Sequence, residues 1–543
     1  MQMPKKLLFA VVAIAGSLAA QNPTITGIVN AGSGIPPGLP NYAIAQGSIF
    51  VVYGSNLGAA APAGSIVNPA ALPLPTGLFG TSITVTVNGT TLAAPIVYTL
   101  PGQVAAILPS ATPAGAGTLT LTYNGNSGSG PITVLGSAFG ISIARTPAGH
   151  EIAAVTFATN QSELVLPPDA AAPGDSLILF GTGLGSVAGG NDTILPQSGN
   201  VGTAPTVYVG GVASPNVSYY GRSPGFPWLD QIVFTVPPNA PLGCQVSIVV
   251  QTSNAGVPIV SNGPATAIGA MDHVPCVDPV DAFPAALLSF PANTTVLGIS
   301  LMQNVTFSSP TTSRTTDTYQ ILVTGFTPPQ FVALSANMAE SSNNSCFSGF
   351  VPAVAGPPGP APATFLDAGP SLTLTPPSGA PITLPAVAAG IFLGGDSLGI
   401  PSGPWGFTTS GGANVGPLNF FFPIPTPVTW TNQASLLGST IDRTKGLTIT
   451  WTGGDPYGFV DIQGFAANAT GTYLVGYDCS APLAAGSFTI PPSILMQMPP
   501  GAGTGATLQV STFALPFTIL PVKGFDAVVN FSQLQTLIPI AYK

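Results

Sequence analysis

AQGSIFVVYGSNLG, residues 45–58, returns as APGDSLILFGTGLG, residues 172–185, displaced by 127. Gly47, Tyr53, Gly54, Leu57 and Gly58 fall on Gly174, Phe180, Gly181, Leu184 and Gly185, so glycines bracket the apolar run at the same places in both copies. Further on, QVAAILPSATPAG from Gln103 answers QIVFTVPPNAPLG from Gln231, displaced by 128, with Pro109, Pro113 and Gly115 over Pro237, Pro241 and Gly243. Between the blocks, Asn88-Gly89 and Gly210-Gly211 each follow a Val-rich run and read as tight turns. Self-similarity at a fixed offset marks one module used twice. The two copies are placed at residues 21–136 and 137–276.

Working outward, each copy is a series of short apolar or β-branched runs bounded by Gly, Pro, Asn or Ser. Ile49 to Tyr53, Ile83 to Val87, Leu119 to Tyr123 and Ile132 to Leu135 are those of the first. No stretch sustains a helical period with caps. Strands of this kind bury one face each, and a two-sheet sandwich is the economical way to do so at this module length. The fold expected is all-β.

Composition narrows the function. Charged residues make up 5% of the 543, against about 25% in ordinary soluble domains, which excludes polyelectrolyte chains and coiled coils. Nine basic residues face 18 acidic ones, leaving no footprint for a phosphate backbone and hence no nucleic-acid partner. Mean hydropathy is +0.48, yet beyond residue 20 no apolar run of about 18 residues is free of Pro, Gly and polar breaks. The hydrophobicity is that of many short strands, and an integral membrane protein is not expected.

Residues 1–20 carry Lys5 and Lys6, an apolar stretch from Leu7 to Ala15, and the small residues Ser17, Ala19 and Ala20. This reads as a Sec-type signal peptide cleaved after Ala19 or Ala20, which makes the mature chain secreted or displayed at the cell surface. Four cysteines, Cys244, Cys276, Cys346 and Cys479, suit an oxidising compartment. Three pairings are open. Cys244 with Cys276 and Cys346 with Cys479 is preferred, because the first two bracket the end of the second module and the others lie in the next region. A zinc site is the weaker alternative, since no C-x-x-C pair occurs and the histidines are only His150 and His273.

From residue 277 the composition shifts little. GPPGPAPA, residues 356–363, reads as a Pro-rich connection. Strand-like runs at Ser371 to Thr375, Leu418 to Phe422, Leu447 to Trp451, Phe459 to Gln463 and Thr507 to Thr512 predict a β-rich domain at 277–425 and a C-terminal β-sandwich at 426–543.

The opening TGIVNAGS (26–33), GSIFVVYGSNLG, the Val-rich strand into Asn-Gly, and PGQVAAILP (101–109) resemble the uncharacterised repeat domain common in secreted proteins of Solibacter-type acidobacteria. The second copy, with GDSLILFGTGLG, VYVGGVAS, PGFPWLDQIVFTVP (224–237) and GCQVSIVVQTSN, resembles it more fully. More remotely the motifs are similar to IPT/TIG domains. The resemblance covers about residues 24–270. It implies tandem immunoglobulin-like β-sandwich domains and an extracellular place, assigns no activity, and supports the Cys244–Cys276 pairing.

Candidate chemistry is sparse. Gly395-Asp396-Ser397-Leu398-Gly399 satisfies G-x-S-x-G and GDSL, and a second GDSL stands at 174–177. The chemistry needs a strand-turn-helix setting and a histidine. Neither copy precedes a helical pattern and no histidine follows His273, so both read as turn plus strand. Residues 271–281 gather Asp272, His273, Asp278 and Asp281, oxygen-rich enough to suggest Ca²⁺ but without a known calcium pattern, and read as a linker. GTGLG (181–185) lacks the spacing, helix and basic residue of a nucleotide loop. No paired carboxylates stand out, and no catalytic residue, cofactor or metal is assigned.

Aromatic side chains are the candidates for ligand contact, because flat rings stack on sugars and fill pockets at low entropic cost. Tyr219, Tyr220, Phe226 and Trp228 flank Arg222 in what reads as a loop, with Tyr220 and Trp228 foremost. Trp405, Phe407 and Phe420-Phe421-Phe422 form a second group, for which core packing is the favoured reading. The function expected is non-catalytic: adhesion, surface scaffolding or binding of an extracellular polymer, with polysaccharide or cell-envelope components as partners. A secreted hydrolase with an unrecognised site and a self-assembling layer protein are the alternatives.

Overall fold

The structure, a computed structural model, describes residues 21–60, 72–145, 151–187, 189–195, 199–277, 294–326, 344–353, 364–501, 505–513, 525–530 and 532–543. The expected leader lies outside these, as do His150, Asp278 and Asp281. Among the described residues nearly all regular structure is strand, the exceptions being Gln433–Leu436, Pro492–Leu495 and a 3₁₀ turn at Leu483–Ala485. No helix there is long and apolar enough to cross a membrane.

The quoted stretches become the strands Ile49–Ser55 and Ser176–Thr182. Their partners repeat as well: Ile49 pairs with Ile107 and Tyr53 with Gln103, while Ser176 pairs with Thr235 and Phe180 with Gln231. Both expected turns are left-handed at two successive residues, φ 48° and 77° at Asn88-Gly89 and 55° and 81° at Gly210-Gly211, as the hairpin turn that matches strand twist requires.

In the first module a four-stranded sheet faces a six-stranded one. Along Thr81–Val87 the side chains of Ile83, Val85 and Val87 are buried while the residues between them are not, the period of two of a half-buried strand. They meet Phe50, Val52, Ile96 and Val104 of the opposite sheet in one core, where each large side chain contributes about 1.5–3 kcal/mol. The chain enters in one sheet at Thr24–Asn30, then pairs in parallel in the other, Ile44 with Val134. The second module repeats the sandwich around Leu177, Leu179, Val207, Ile232, Phe234 and Ile248. These are tandem immunoglobulin-like β-sandwiches.

The two modules dock end to end. Asn30 Nδ2 donates to the carbonyls of Ala138 (3.1 Å) and Thr182 (3.2 Å), and the Ile49 N–H donates to Thr182 Oγ1 at 3.0 Å. Asp192 accepts from the Ser110 N–H (2.8 Å) and hydroxyl (2.7 Å). Gly183, with φ 111°, lies so close to the Ala138 carbonyl that a Cβ would collide with it. The glycines of GTGLG therefore serve close approach of backbone to backbone.

Beyond residue 293 one sheet runs through strands from both expected segments. The hairpin of Thr294–Ser309 and Thr312–Phe326 sits at its middle, with Gln533–Pro539 parallel on one side and Ile391–Asp396 antiparallel on the other. Ser345–Pro352 forms one end by pairing with Tyr473–Pro482. Two cores back this sheet. One holds Trp405, Phe407, Phe392 and Phe422 and takes in Val528 and Leu534 from the C-terminal segment. The other holds Trp430, Trp451, Tyr477 and Tyr542 and takes in Cys346, together with Ile35, Leu39, Val249 and Val260 of the repeated modules. The expected boundary at 425/426 thus falls between two cores but inside one sheet.

Disulfides join Cys244 to Cys276 and Cys346 to Cys479. Cys346 stands directly opposite Cys479 in the antiparallel pair, and both are buried.

Candidate functional site

Tyr219 and Tyr220 are not loop residues. They belong to the strand Val217–Arg222, paired with Asp230–Thr235, and only residues 223–229 form the loop. The Gly residue that follows them hides the strand pattern in the sequence. Tyr219 is half-buried; its hydroxyl donates to the Arg222 carbonyl (2.6 Å) and accepts from the Gly199 N–H (3.3 Å). Tyr220 packs against the module core. Phe226, 49% exposed, stands beside half-buried Trp228 with ring centroids 5.6 Å apart. Of the four nominated aromatics, Phe226 is the exposed one, and the other three are half-buried.

Arg222, which the aromatics flank, is buried. Its guanidinium pairs with Asp230, directly opposite on the next strand, and Nη2 donates to the carbonyls of Gly47 (2.9 Å) and Gly185 (2.8 Å). Asp230 Oδ2 accepts from the N–H groups of Gly183 (2.7 Å) and Leu184 (2.9 Å). A buried pair with its remaining donors and acceptors satisfied fixes the GTGLG loop and ties it to the first module. Its sequence signal was a pair of opposite charges in the second copy of a chain nearly without charge: Asp230 stands where the first copy has Gly102.

A groove of 680 Å³ opens where both modules meet the large sheet. Ile35, Leu39 and Asn41 line it from the first module, Ile143, Gln245 and Asn262 from the second, and Phe347, Phe350 and Val351 from the strand Ser345–Pro352. Phe347 and Phe350 are each 36% exposed and Val351 57%. This strand ends its sheet, and its outer side meets the second module through a bridge between Gly263 and Ser348. Phe350 is held edge-on to Tyr473, centroids 6.0 Å apart. The groove's carboxylate, Glu151, is paired with Arg145 at 2.7 Å. Nothing in the local pattern of Ser345–Pro352 marks it, because the wall is assembled from segments hundreds of residues apart.

At the GDSL-like motif, Asp396 ends the strand Ile391–Asp396 and stands directly opposite Asp317. Two carboxylates so placed cannot both hold charge without mutual cost. Burial, then the proximity of Asp396, raises the affinity of Asp317 for its proton despite the Gly399 N–H that donates to it at 2.6 Å. Burial also opposes the Asp396 charge, but donors from Leu398 N–H (3.0 Å), Asp317 and Tyr319 Oη (3.0 Å) outweigh it and hold this carboxyl below the usual range. A 510 Å³ pocket beside the pair is lined by Arg314, Thr315, Thr316, Asp396 and Ser397. No helix follows Ser397, and the next regular element is the strand Gly403–Thr409. In the other GDSL, Asp175 closes the turn by accepting the Ala172 N–H at 2.6 Å, and Ser176 opens a strand.

Trp405, Phe407 and Phe422 are core residues, 1% exposed, whereas Phe421 is 69% exposed. His273 lies 2.8 Å from Asp169 Oδ1 and 3.9 Å from Glu163 Oε1, partners from outside its own acidic stretch.

No protein-family model and no curated protein matches the chain. Among solved structures it is similar to the Plexin A4 full extracellular region, at 14% identity and a TM-score of 0.17, over 46% of this chain and 19% of that one. The chain thus spans about a fifth of that protein. It is also similar to Sidekick-1 immunoglobulin domains 1–4 (10% identity, TM-score 0.11, 96% of this chain and 99% of that). The third likeness is to the insect immune protein hemolin (10% identity, TM-score 0.13, 96% and 100%).

Proposed function

We propose that the chain is an exported, non-catalytic binding protein that acts in adhesion, surface scaffolding or retention of an extracellular polymer, its modules being of the kind found in Solibacter-type secreted proteins. The groove at the junction of the two modules and the large sheet carries this reading. It is long enough to be walled by three parts of the molecule, it offers the half-exposed rings of Phe347 and Phe350, and its carboxylate is already paired. Such a surface suits an uncharged polymer, a neutral polysaccharide above all, which gains from ring stacking and from carboxamide hydrogen bonds. Two disulfides suit the extracellular place.

The test incubates purified protein with insoluble polysaccharides and isolated cell envelopes, measuring bound protein and released sugar in the same tubes. Retention without release is expected, falling by about tenfold in Phe350→Ala, with Trp228→Ala and Phe226→Ala reporting on the second-module loop. Retention unchanged in all three variants overturns the assignment of the groove and the loop.

The Asp317–Asp396 pair favours a second reading, a hydrolase using one protonated and one ionised carboxyl. Released sugar that disappears in Asp396→Asn would establish it.

A further inference from the structure

We propose that Glu163, Asp169 and His273 form a site for a divalent transition metal that clamps the exit segment of the second module onto its body. One donor atom from each of Glu163, Asp169 and His273 lies within 4.8 Å of the other two. Two of the separations are 2.8 Å and 3.9 Å. A metal about 2.1 Å from each ligand spaces neighbouring donors by about 3.0–3.4 Å. The observed distances straddle that range, and Glu163, whose side chain is 36% exposed, has room to close the remainder.

The donors come from three separate segments, and the fold brings them together before any ion arrives. Glu163 lies on the edge strand Asn160–Leu164. Asp169 closes the turn that follows, through the Leu166–Asp169 bridge. His273 belongs to the exit segment, which is pinned by its own N–H to the Ala170 carbonyl (3.0 Å), by the Cys276 N–H to the Pro167 carbonyl (2.9 Å), and by the Cys244–Cys276 disulfide. The imidazole lies against Phe157, ring centroids 4.3 Å apart and planes 30° apart, which orients Nδ1.

Among the described residues, every charged group acting on the imidazole is acidic: Asp169, Glu163 and Asp272. In a chain with so few charges this makes the corner locally negative and attractive to a cation. One imidazole and two carboxylates are a borderline donor set, suited to Zn²⁺, Co²⁺ or Mn²⁺, whereas the six to eight oxygens that Ca²⁺ asks for are not assembled among the described residues. The half-exposed face leaves the remaining positions to water. The site lies apart from the groove and does not depend on the reading of it.

The experiment titrates ZnCl₂, and in parallel CaCl₂, into the purified untagged full chain after chelator treatment, by calorimetry and by metal analysis after dialysis. One Zn²⁺ per chain is expected, with affinity at least tenfold lower in Asp169→Asn and in His273→Gln, and no matching calcium isotherm. Co²⁺ should add a visible absorption band in the wild-type chain that His273→Gln loses. Should Asp169→Asn fail to fold, Glu163→Gln at the exposed strand edge provides the same comparison. Zn²⁺ bound below stoichiometry, or bound equally by wild type and variants, overturns the proposal.

Discussion

Arg222 and Asp230 carry opposite charges where water scarcely reaches, at 3% and 0% exposure. Removing one partner leaves the other's charge buried and strips hydrogen bonds from the GTGLG loop and from the Gly47 carbonyl. Arg222→Met and Asp230→Asn are each expected to cost about 3–5 kcal/mol, read from denaturant midpoints. The double variant should cost clearly less than the sum, which a double-mutant cycle measures. The sequence drew notice to Arg222 through its aromatic neighbours, but its role depends on Asp230, Gly47 and Gly185, which only the paired strands and the docked modules bring to it. The Asp317–Asp396 pair was hidden in the same way, for the two are 79 residues apart and meet only by register.

Strands and turns were the most legible elements. Glycine-bracketed runs and the Asn-Gly and Gly-Gly pairs specify local geometry through φ, so the repeat carries its own register. The edges of those runs were less legible: Tyr219 and Tyr220 sit beside Gly221 and the Pro-rich loop, where β-pattern and turn signals overlap. Cysteine pairing is decided at this scale too. The Cys346–Cys479 bond spans 133 residues and Cys244–Cys276 spans 32, so the chain-entropy contributions are about 5 and about 3.7 kcal/mol. Replacing Cys346 and Cys479 together with alanine should therefore lower stability more than replacing Cys244 and Cys276, the more so because the former pair is buried in the second large core. Urea unfolding of the two double variants, side by side, gives the comparison.

For the whole molecule, the groups shifted on folding that bear on the acidic-to-neutral range pull in opposite directions: Asp175, Asp317 and His273 are raised, whereas Asp367, Asp396 and Asp442 are lowered. Asp317, raised, contributes stability that is present below the ordinary carboxylate range and is lost as pH rises through its folded value. Asp396, lowered, contributes stability present above that range and lost as pH falls through its folded value. The thermal midpoint should accordingly move by no more than a few degrees between mildly acidic and neutral pH. Asp317→Asn, which mimics the protonated carboxyl, should remove the Asp317 share of the slope and leave that of His273. A shift of tens of degrees in calorimetric scans would contradict this. The large sheet sets a stronger dependence, on chain continuity. Thr294–Ser309 needs Gln533–Pro539 beside it, and Ser345–Pro352 needs Tyr473–Pro482. Parallel pairing across more than 200 residues leaves no local trace in the sequence: the runs at 371–375, 418–422, 459–463 and 507–512 were legible as strands, whereas the hairpin at 294–326 and its partner at 533–539 were not. Residues 277–425 and 426–543 expressed separately would each expose an unpaired sheet edge, and each core would lose what the other segment lends it, Val528 and Leu534 in one case and Cys346 in the other. Each is expected to show poor amide dispersion and early proteolysis alone, and to recover protection when the two are co-expressed. Two fragments that fold independently would show instead that the strands at 294–326 and 533–539 are neighbours without being dependents.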